Sequence, residues 1–338
     1  VPFPPALHYW IVNPDCPSFM GPLDTDALWW LQATALSPEV DLRKVDATAL
    51  VRSSIAVDVE VEVVTTDPWE AHALMASRLR EGRVFLAGDA AHVHTPMGAH
   101  GMNMGIGDAV DLGWKLAAVL DGWAQADLLD TYAIERSPLH ERVLEEATRN
   151  YANLPNHFLQ EGLDAGDGDG ERIRREVAER IREAKLREFS SLGLVLGSTY
   201  RQSPIVVQDG MPPVPEQVVE FTVAARAGRR IPHAWLDDRR SLFDRLGSGY
   251  TLLCFGASTE AARLAGAAAA RHLPLAIEDV EEPRVAALFG SRLALVRPDQ
   301  ILAWHGDQLP ADPDALLDVV TARRPPPAGN GERNELQH

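Results

Sequence analysis

The chain has 338 residues, a formal net charge of −17, 46% hydrophobic residues and 24% charged residues. This composition is typical of a globular protein that is large enough to form two hydrophobic cores. The negative charge disfavours nucleic acid and anionic membranes as partners, and the sequence has no apolar run of membrane-spanning length. The two cysteines, Cys16 and Cys254, lie far apart, so we expect neither a disulfide framework nor a cysteine metal site. We therefore predict a cytoplasmic enzyme without a metal.

Three segments near the start of the chain predict β-strands, at residues 7–12, 28–32 and 55–64. In the third segment valines alternate with acidic residues, which is typical of a strand with one buried and one solvated face. The aromatic side chains of this region either line a substrate pocket or pack as core and cross-strand pairs. They are His8, Trp10, Trp29 and Trp30. We expect residues 1–66 to form the end of a substrate-binding sheet domain.

The most informative stretch of the chain runs from residue 83 to residue 117. It predicts a short buried strand at residues 84–87, a glycine-rich loop, and a helix over residues 108–117. The loop contains Gly98, Gly101, Gly105 and Gly107. Glycines let the backbone approach a ligand closely, and a helix N-terminus supplies unpaired N–H groups and partial positive charge. Together these features predict a site for a flat, electron-rich cofactor.

The order of residues in this stretch resembles the second flavin-binding motif of the class A flavoprotein aromatic hydroxylases. About a dozen residues match in order, which is more specific than a lone glycine motif. The resemblance implies that Asp89 binds the flavin ribityl chain, that Pro96 lies beside the isoalloxazine ring, and that residues 101–103 face its pyrimidine edge. The implied cofactor-binding residues are Gly88, Asp89, Pro96, Gly98, Gly101, Met102 and Asn103. Taken alone, Asp89 is equally explained as a helix N-cap.

Two further expectations concern this motif. Apolar residues of the following helix, from Val110 to Leu120, predict a buried stripe that includes Trp114. No G-x-G-x-x-G turn for the pyrophosphate precedes Asp89, although the family opens with one. We therefore expect the chain to be the C-terminal part of a longer polypeptide, or one half of a split protein, that needs an N-terminal FAD-domain segment.

Residues 67–200 predict the C-terminal part of the FAD-binding domain followed by a helical bridge. Residues 128–138 resemble the next signature of the family, in which Tyr132, Glu135 and Arg136 support the helix rather than contact substrate. Residues 171–188 predict an amphipathic helix with i,i+4 ion pairs. The preceding acidic residues 164–170 predict a mobile loop.

Residues 201–324 predict a separate α/β unit. Its predicted strands are at residues 250–255, 275–277, 294–297 and 301–304, with an alanine-rich helix at 259–272. This order resembles the C-terminal thioredoxin-like domain of the phenol and polyketide hydroxylases. No C-x-x-C is present and Cys254 lies in a strand, so we expect a structural role, packing on the flavin domain or on a partner subunit of a homodimer. Residues 325–338 predict a disordered tail.

The predicted fold class is therefore α/β, with an α+β substrate sheet: the C-terminal part of a 4-hydroxybenzoate-hydroxylase-like FAD fold plus a thioredoxin-like domain. The resemblance implies FAD as cofactor, NADPH or NADH as co-substrate, and hydroxylation of a phenolic or polyketide ring with O2. A Baeyer–Villiger flavin monooxygenase and a non-catalytic interaction module stay open as alternatives. The catalytic residues stay unknown; His92 and His94 are candidates for the base that deprotonates the phenol, or are solvated loop histidines.

Overall fold

The structure is a computed structural model that describes residues 5–25, 27–34, 36, 39–256 and 259–323. The tail predicted for residues 325–338 lies outside the described residues. Strands and helices of the first 200 residues are β1 (Tyr9–Ile11), β2 (Ser18–Pro22), β3 (Trp29–Ala33), α1 (Ala47–Ile55), β4 (Leu74–Met75), β5 (Arg80–Glu81), β6 (Val84–Phe85), β7 (His92–Val93), α2 (Gly101–Leu120), α3 (Thr131–Tyr151), α4 (Gly168–Phe189) and α5 (Leu192–Leu196). No helix of the described residues has the length and apolarity that crossing a membrane requires.

The remaining elements form the predicted C-terminal α/β unit. They are β8 (Tyr250–Cys254), α6 (Glu260–Ala270), β9 (Leu275–Asp279), α7 (Pro283–Phe289), β10 (Leu293–Val296), β11 (Leu302–Gly306) and α8 (Pro313–Val320). All four strands and the alanine-rich helix predicted from the sequence are confirmed within a few residues.

Internal contacts divide the chain into two compact units. The first unit contains residues 1–73, 94–100 and 144–190, and the second contains residues 74–93, 101–143 and 191–338. The domain boundaries predicted near residues 66, 200 and 324 stay predictions.

The first unit contains the antiparallel sheet β1-β2-β3. Strands were predicted where β1 and β3 lie, and β2 is an addition. The strand predicted at residues 55–64 is wrong, because α1 ends at Ile55 and residues 56–73 form no strand. Val64 is 74% exposed. Alternation tells which face a side chain would take, but a strand forms only where a neighbouring strand bonds to its backbone, and the described residues supply none here.

Helix α4 confirms the predicted amphipathic helix and extends it at its N-terminus. Arg172 and Glu176 form the expected i,i+4 pair, with 2.9 Å between Nη1 and Oε1. The side chain of Asp167 accepts a hydrogen bond from the Gly170 N–H and caps the helix. The loop predicted for residues 164–170 is therefore partly helical, because an aspartate at the N-cap outweighs the low helix propensity of the glycines that follow it.

The second unit contains a four-stranded sheet in the order β11-β10-β8-β9. Strands β8 and β9 are parallel and are joined through α6, while β10 pairs antiparallel with both β8 and β11. Core residues cover both faces of this sheet, so β8 is buried along its whole length. Burial raises the pKa of the Cys254 thiol to about 11, which agrees with a structural rather than a redox role.

The buried face of α2 is charged rather than apolar. Its buried residues are Asp108, Asp111, Lys115 and Ala118. The predicted apolar stripe is wrong at both ends, since Val110 is 51% exposed and Leu120 is 82% exposed. Trp114 is partly buried and packs against the core of the second unit. Helical periodicity identifies a face, but the partners across the interface decide which face is buried.

A buried ion cluster joins α2, α3 and the loop after β10. The Lys115 Nζ lies 2.6 Å from both Asp111 Oδ1 and Glu135 Oε2. The Arg297 guanidinium bonds to Glu135 through Nη1 (2.5 Å to Oε1) and to Asp299 through Nη2 (2.5 Å to Oδ2). The three carboxylates lie close enough to ligate a metal, but the two cationic side chains already supply the compensating charge.

The ion cluster also explains how the thioredoxin-like part packs. Arg297 follows β10 of that part, and its partner Glu135 belongs to α3. Beside these charges, Ala118 of α2 and Leu128 pack in one apolar core with Tyr250 of β8. The predicted packing on the flavin-domain part of the chain is therefore observed within the second unit.

We expect Arg297→Met to lower the free energy of unfolding by about 3–5 kcal/mol, because Asp299 would stay buried without a cation and Glu135 would keep only Lys115. Urea denaturation followed by tryptophan fluorescence measures the change. Arg284→Met is the matched control: Arg284 bonds to exposed Asp237, and removing a surface pair costs about 1 kcal/mol or less. Equal losses in the two variants would contradict the role given to Arg297.

Candidate functional site

The glycine-aspartate turn follows a short hairpin rather than a buried strand. Strand β6 pairs with β5 over two residues, and Val84 is 65% exposed, so the prediction of a buried strand at residues 84–87 is wrong. A two-residue pairing has too little partner surface to cover the apolar side chains of this segment. Residues Gly88–Ala90 then form a 3₁₀ turn on which Asp89 is exposed.

This turn packs closely on the first turns of α2. Gly88 has φ +59°, and a Cβ on Gly105 would lie 3.2 Å from the Gly88 Cα. A side chain at Gly105 would therefore require the turn and the helix to move apart by a few tenths of an ångström, and the positive φ of Gly88 disfavours any side chain there. Helix α2 begins at Gly101, seven residues before the predicted start, because Gly101, Gly105 and Gly107 lie within the helix, while Gly98 stays in the loop. Met102 is 75% exposed at this N-terminus, where the first N–H groups have no intrahelical partner.

The buried carboxylate of Asp108 holds the Gly88–Ala90 turn in place through hydrogen bonds. Its carboxylate accepts hydrogen bonds from the Gly88 N–H (3.0 Å), the Arg136 Nε (2.8 Å) and the His92 Nε2 (2.8 Å). The His140 Nε2 lies 2.9 Å from the Asp108 Oδ1. The His92 and His140 rings are stacked, with 3.8 Å between their centroids. Burial opposes ionisation of Asp108, but His140, His92 and Arg136 hold its pKa well below the usual range. The Gly88–Ala90 turn is thus hydrogen-bonded to a buried negative charge.

The signature residues after α2 support this arrangement, as the resemblance implied. A Cβ on Gly107 would lie 2.7 Å from the Arg136 Nη2, so the glycine makes room for the guanidinium. The same Nη2 donates to the Met104 carbonyl at 3.1 Å. The Tyr132 hydroxyl donates to the Leu86 carbonyl at 2.8 Å, immediately before the turn. Asp108 itself was missed, although a carboxylate inside an apolar helix and an arginine 28 residues later were visible signals.

His92 is not a solvated loop histidine. Its side chain is fully buried and its Nε2 is engaged with Asp108. This contact favours a structural role over that of a base for substrate. Burial also lowers the pKa of its stacking partner His140, so a neutral ring is favoured there. His94 belongs to the first unit, and its role as a base stays a prediction.

The first unit has an aromatic face on its sheet. The His8 ring lies 5.6 Å from Trp10, 5.3 Å from Phe19 and 5.2 Å from Trp30, between ring centroids. Trp29 is 41% exposed and instead contacts Tyr9, because side chains alternate along β3. Of the three predicted pocket residues, the structure therefore brings together His8 and Trp10 but not Trp29.

A buried polar atom lies within this aromatic face. The His8 Nε2 is buried and has no hydrogen-bond partner among the described residues. Burial lowers the pKa of His8, and the charge of Lys185 lowers it further. The Lys185 Nζ lies 3.7 Å from the centroid of the Trp10 ring and pairs with Glu188 at 2.7 Å. The face therefore combines flat apolar walls with a neutral nitrogen available to a polar substrate group.

The loop of the predicted flavin motif that carries Pro96 and Gly98 belongs to the same unit as this aromatic face. Met97 packs in one apolar cluster with Phe19, against which Trp10 and Trp30 lie. Gly98 has φ +108°, and a Cβ there would lie 2.7 Å from the His100 ring. Pro96, on the same loop, is exposed. Two features that the resemblance assigned separately, the ring-side loop and the substrate sheet, are thus in contact.

Two family models match the chain. The model described as FAD binding domain matches residues 2–147. The model described as aromatic-ring hydroxylase, C-terminal, matches residues 224–324. Between them the two models match the glycine-aspartate turn, helix α2 and the thioredoxin-like part.

Individual relatives agree with these models. The chain is 38% identical over 292 residues to tetracenomycin B2 monooxygenase-dioxygenase of Streptomyces olivaceus, which covers 81% of this chain and 49% of the relative. It is 36% identical over 290 residues to 4-methyl-5-nitrocatechol 5-monooxygenase of a Burkholderia species, covering 80% and 49%. The structure of the rebeccamycin biosynthetic enzyme RebC with reduced flavin has 39% identity and a TM-score of 0.83, covering 94% of this chain and 59% of that chain. The chain spans about half the length of the curated relatives it matches.

We expect Asp108→Asn to lower the free energy of unfolding at pH 7 by about 3 kcal/mol, because the buried Arg136 loses its counter-charge. The pKa of Asp108 is lower in the folded than in the unfolded state, where it is about 3.9. Its contribution is therefore complete above that pH and is lost as the pH falls through the folded pKa. The difference between the two proteins should narrow below about pH 4.

Urea denaturation across pH measures this difference. Asp121→Asn is the control, because Asp121 is exposed just beyond the end of α2 and its loss should change stability by less than about 0.5 kcal/mol. A gap between Asp108→Asn and the wild type that stays constant with pH would contradict an ionised Asp108.

Proposed function

Because the chain belongs to the class A FAD-dependent aromatic hydroxylases, we propose that it is part of a flavin monooxygenase that hydroxylates a phenolic or polyketide aromatic ring with NADPH or NADH and O2. The observation that carries this proposal is the contact between the Met97 loop and the aromatic face of the sheet. We propose that the cofactor and the substrate meet at this contact. NAD(P)H is a reductant of the cytoplasm, and we propose that the enzyme acts there.

The residues present fit FAD. The exposed Asp89 carboxylate would accept hydrogen bonds from the ribityl hydroxyls, and the N–H groups at the start of α2, in residues 101–103, would face the ring. Pro96 and Gly98, which the resemblance also assigns to the cofactor, lie on a loop of the first unit. Bound FAD supplies the redox chemistry between the nicotinamide and O2. The partial positive charge at the N-terminus of α2 stabilises an anionic group placed against it.

The aromatic face fits a phenol. We propose that the substrate ring packs against the partly buried Trp10 and Trp30, which contact the buried Phe19. The buried His8 Nε2 accepts a hydrogen bond from the phenolic O–H and draws the proton toward itself, which makes the ring more electron-rich. By their names, one relative is a monooxygenase of 4-methyl-5-nitrocatechol, a dihydroxylated aromatic ring, and the other is a monooxygenase-dioxygenase of tetracenomycin B2. We therefore propose a hydroxylated aromatic ring as the substrate class.

Oxygen uptake tests the function directly. The FAD-loaded protein is supplied with NADPH or NADH and a panel of phenols, catechols and polycyclic phenols. We expect O2 consumption and a product heavier by one oxygen atom with at least one of them. Reductant oxidation that never depends on an aromatic compound would refute the proposal.

We expect His8→Leu to lower kcat/KM by about ten-fold or more, a loss typical of removing a group that assists proton transfer. The wild-type rate should fall at acidic pH with a midpoint below 6.5, because burial and Lys185 lower the pKa of His8 and a protonated ring accepts no hydrogen bond. The pH profile of His8→Leu should lack this acidic limb. Trp29→Leu is the control, since Trp29 lies on the other face of the sheet. This variant should change neither kcat/KM nor the midpoint of the pH profile. An acidic limb that persists in His8→Leu would contradict the role of His8.

A further inference from the structure

A cluster of arginines lies in the second unit, apart from the residues assigned to the flavin. This arginine cluster consists of Arg142 on α3 together with Arg201, Arg226 and Arg229 from the segment between α5 and β8. Arg229 forms a β-bridge with Thr199, two residues before Arg201, and its backbone N–H donates to the Arg226 carbonyl at 3.0 Å. Its central carboxylate is Glu216. The Glu216 Oε2 lies 2.8 Å from Arg142 Nη1, and its Oε1 accepts from Arg201 Nη2 at 3.1 Å and Nε at 3.2 Å. Both oxygens of Glu216 are therefore already paired.

Arg229 is the buried member of the cluster. Its residue is 2% exposed, and its Nη2 donates to the Thr222 carbonyl at 3.2 Å. Its Nη1 is buried and has no hydrogen-bond partner in the part of the chain that the structure describes, and the same holds for the Arg226 Nε. No carboxylate of the described residues forms an ion pair with Arg229.

The charges around Arg229 are unbalanced. Burial lowers the pKa of Arg229, Glu216 raises it, and the positive charges of Arg201, Arg142 and Arg226 lower it again. Burying a guanidinium without a paired anion is costly, and placing further cations near it adds to that cost. This local excess of positive charge contrasts with the net charge of −17 of the whole chain. A structural ion pair would neutralise Arg229, whereas this arrangement leaves a positive site.

From this geometry we propose that the arginine cluster binds a small oxyanion of the phosphate class. Planar guanidinium groups match the oxygens of phosphate, and each offers several N–H donors. The buried Arg229 Nη1 and Arg226 Nε are donors for which the described residues supply no acceptor. The side chain of Arg201 is 50% exposed, so the cluster is open to solvent at that residue. Glu216 repels an anion, but two arginines neutralise it. The site stands independently of the hydroxylase reaction.

Thermal unfolding and calorimetry with inorganic phosphate test the proposal. Sodium chloride at equal ionic strength separates specific binding from general screening. We expect phosphate to raise the Tm in a saturable way, as a ligand of the folded state does. Arg229→Gln and the half-exposed Arg201→Gln should each weaken phosphate binding by about ten-fold or more. Arg230→Gln is the matched control, because Arg230 is exposed and bonds to Gln300 rather than to the cluster.

Several outcomes decide the proposal. A Tm rise equal in phosphate and chloride, or one unchanged in both Arg229→Gln and Arg201→Gln, overturns it. If Arg229→Gln fails to fold, Arg201→Gln and Arg142→Gln carry the test. Adenosine 2′,5′-bisphosphate identifies the source of the anion: binding tighter than phosphate supports a nucleotide phosphate, and equal binding supports the free ion. Phosphate binding and hydroxylation are measured separately, so a failure of one proposal can be told from a failure of the other.

Discussion

The charged inner face of α2 is the constraint on which the second unit depends. Asp108 holds the Gly88–Ala90 turn at one end of this face, and Asp111 and Lys115 meet α3 and Arg297 further along. A single helix thereby orients both the proposed cofactor turn and the thioredoxin-like part. Hydrogen-bonded charges accept few alternative geometries, so such a face specifies one packing arrangement where an apolar stripe would tolerate several. In this protein we regard that specificity as the reason for burying charge.

The ion cluster is balanced by pairing within the protein. Burial raises the pKa of Asp111, while Arg297 and Lys115 overcome the effect of burial on Glu135 and hold its pKa low. The carboxylates of Asp111, Glu135 and Asp299 are all paired with Lys115 or Arg297. The arginine cluster around Glu216 has no such balance, and this contrast within one unit is what distinguishes an internal ion pair network from a site that an external anion would complete.

The residues assigned to the proposed reaction belong to both units. The first unit holds the aromatic face and the Met97 loop, and the second holds the turn of Asp89 and the N-terminus of α2. One stretch of sequence, residues 83–117, supplies both, because residues 94–100 leave the second unit and return to it. A contiguous motif in the sequence therefore contributes residues to two compact units. The motif can therefore be recognised from the order of its residues, although the residues that surround it in space come from distant parts of the chain.

The sequence by itself determined the family motif, the elements of the thioredoxin-like part and helix α4, because local spacing, β-branched runs and helical periodicity encode them directly. Only the tertiary structure decided that α2 buries Asp108 and Lys115 instead of Val110 and Leu120, since the compensating charges come from α3 and Arg297. It also decided that residues 56–64 form no strand, because pairing needs a neighbouring strand. Alternation alone places His8 and Trp10 on one face, but the register of β1, β2 and β3 decides that Trp30 joins them and Trp29 does not. Burial and pairing depend on partners remote in sequence, and for that reason local patterns alone leave them undetermined.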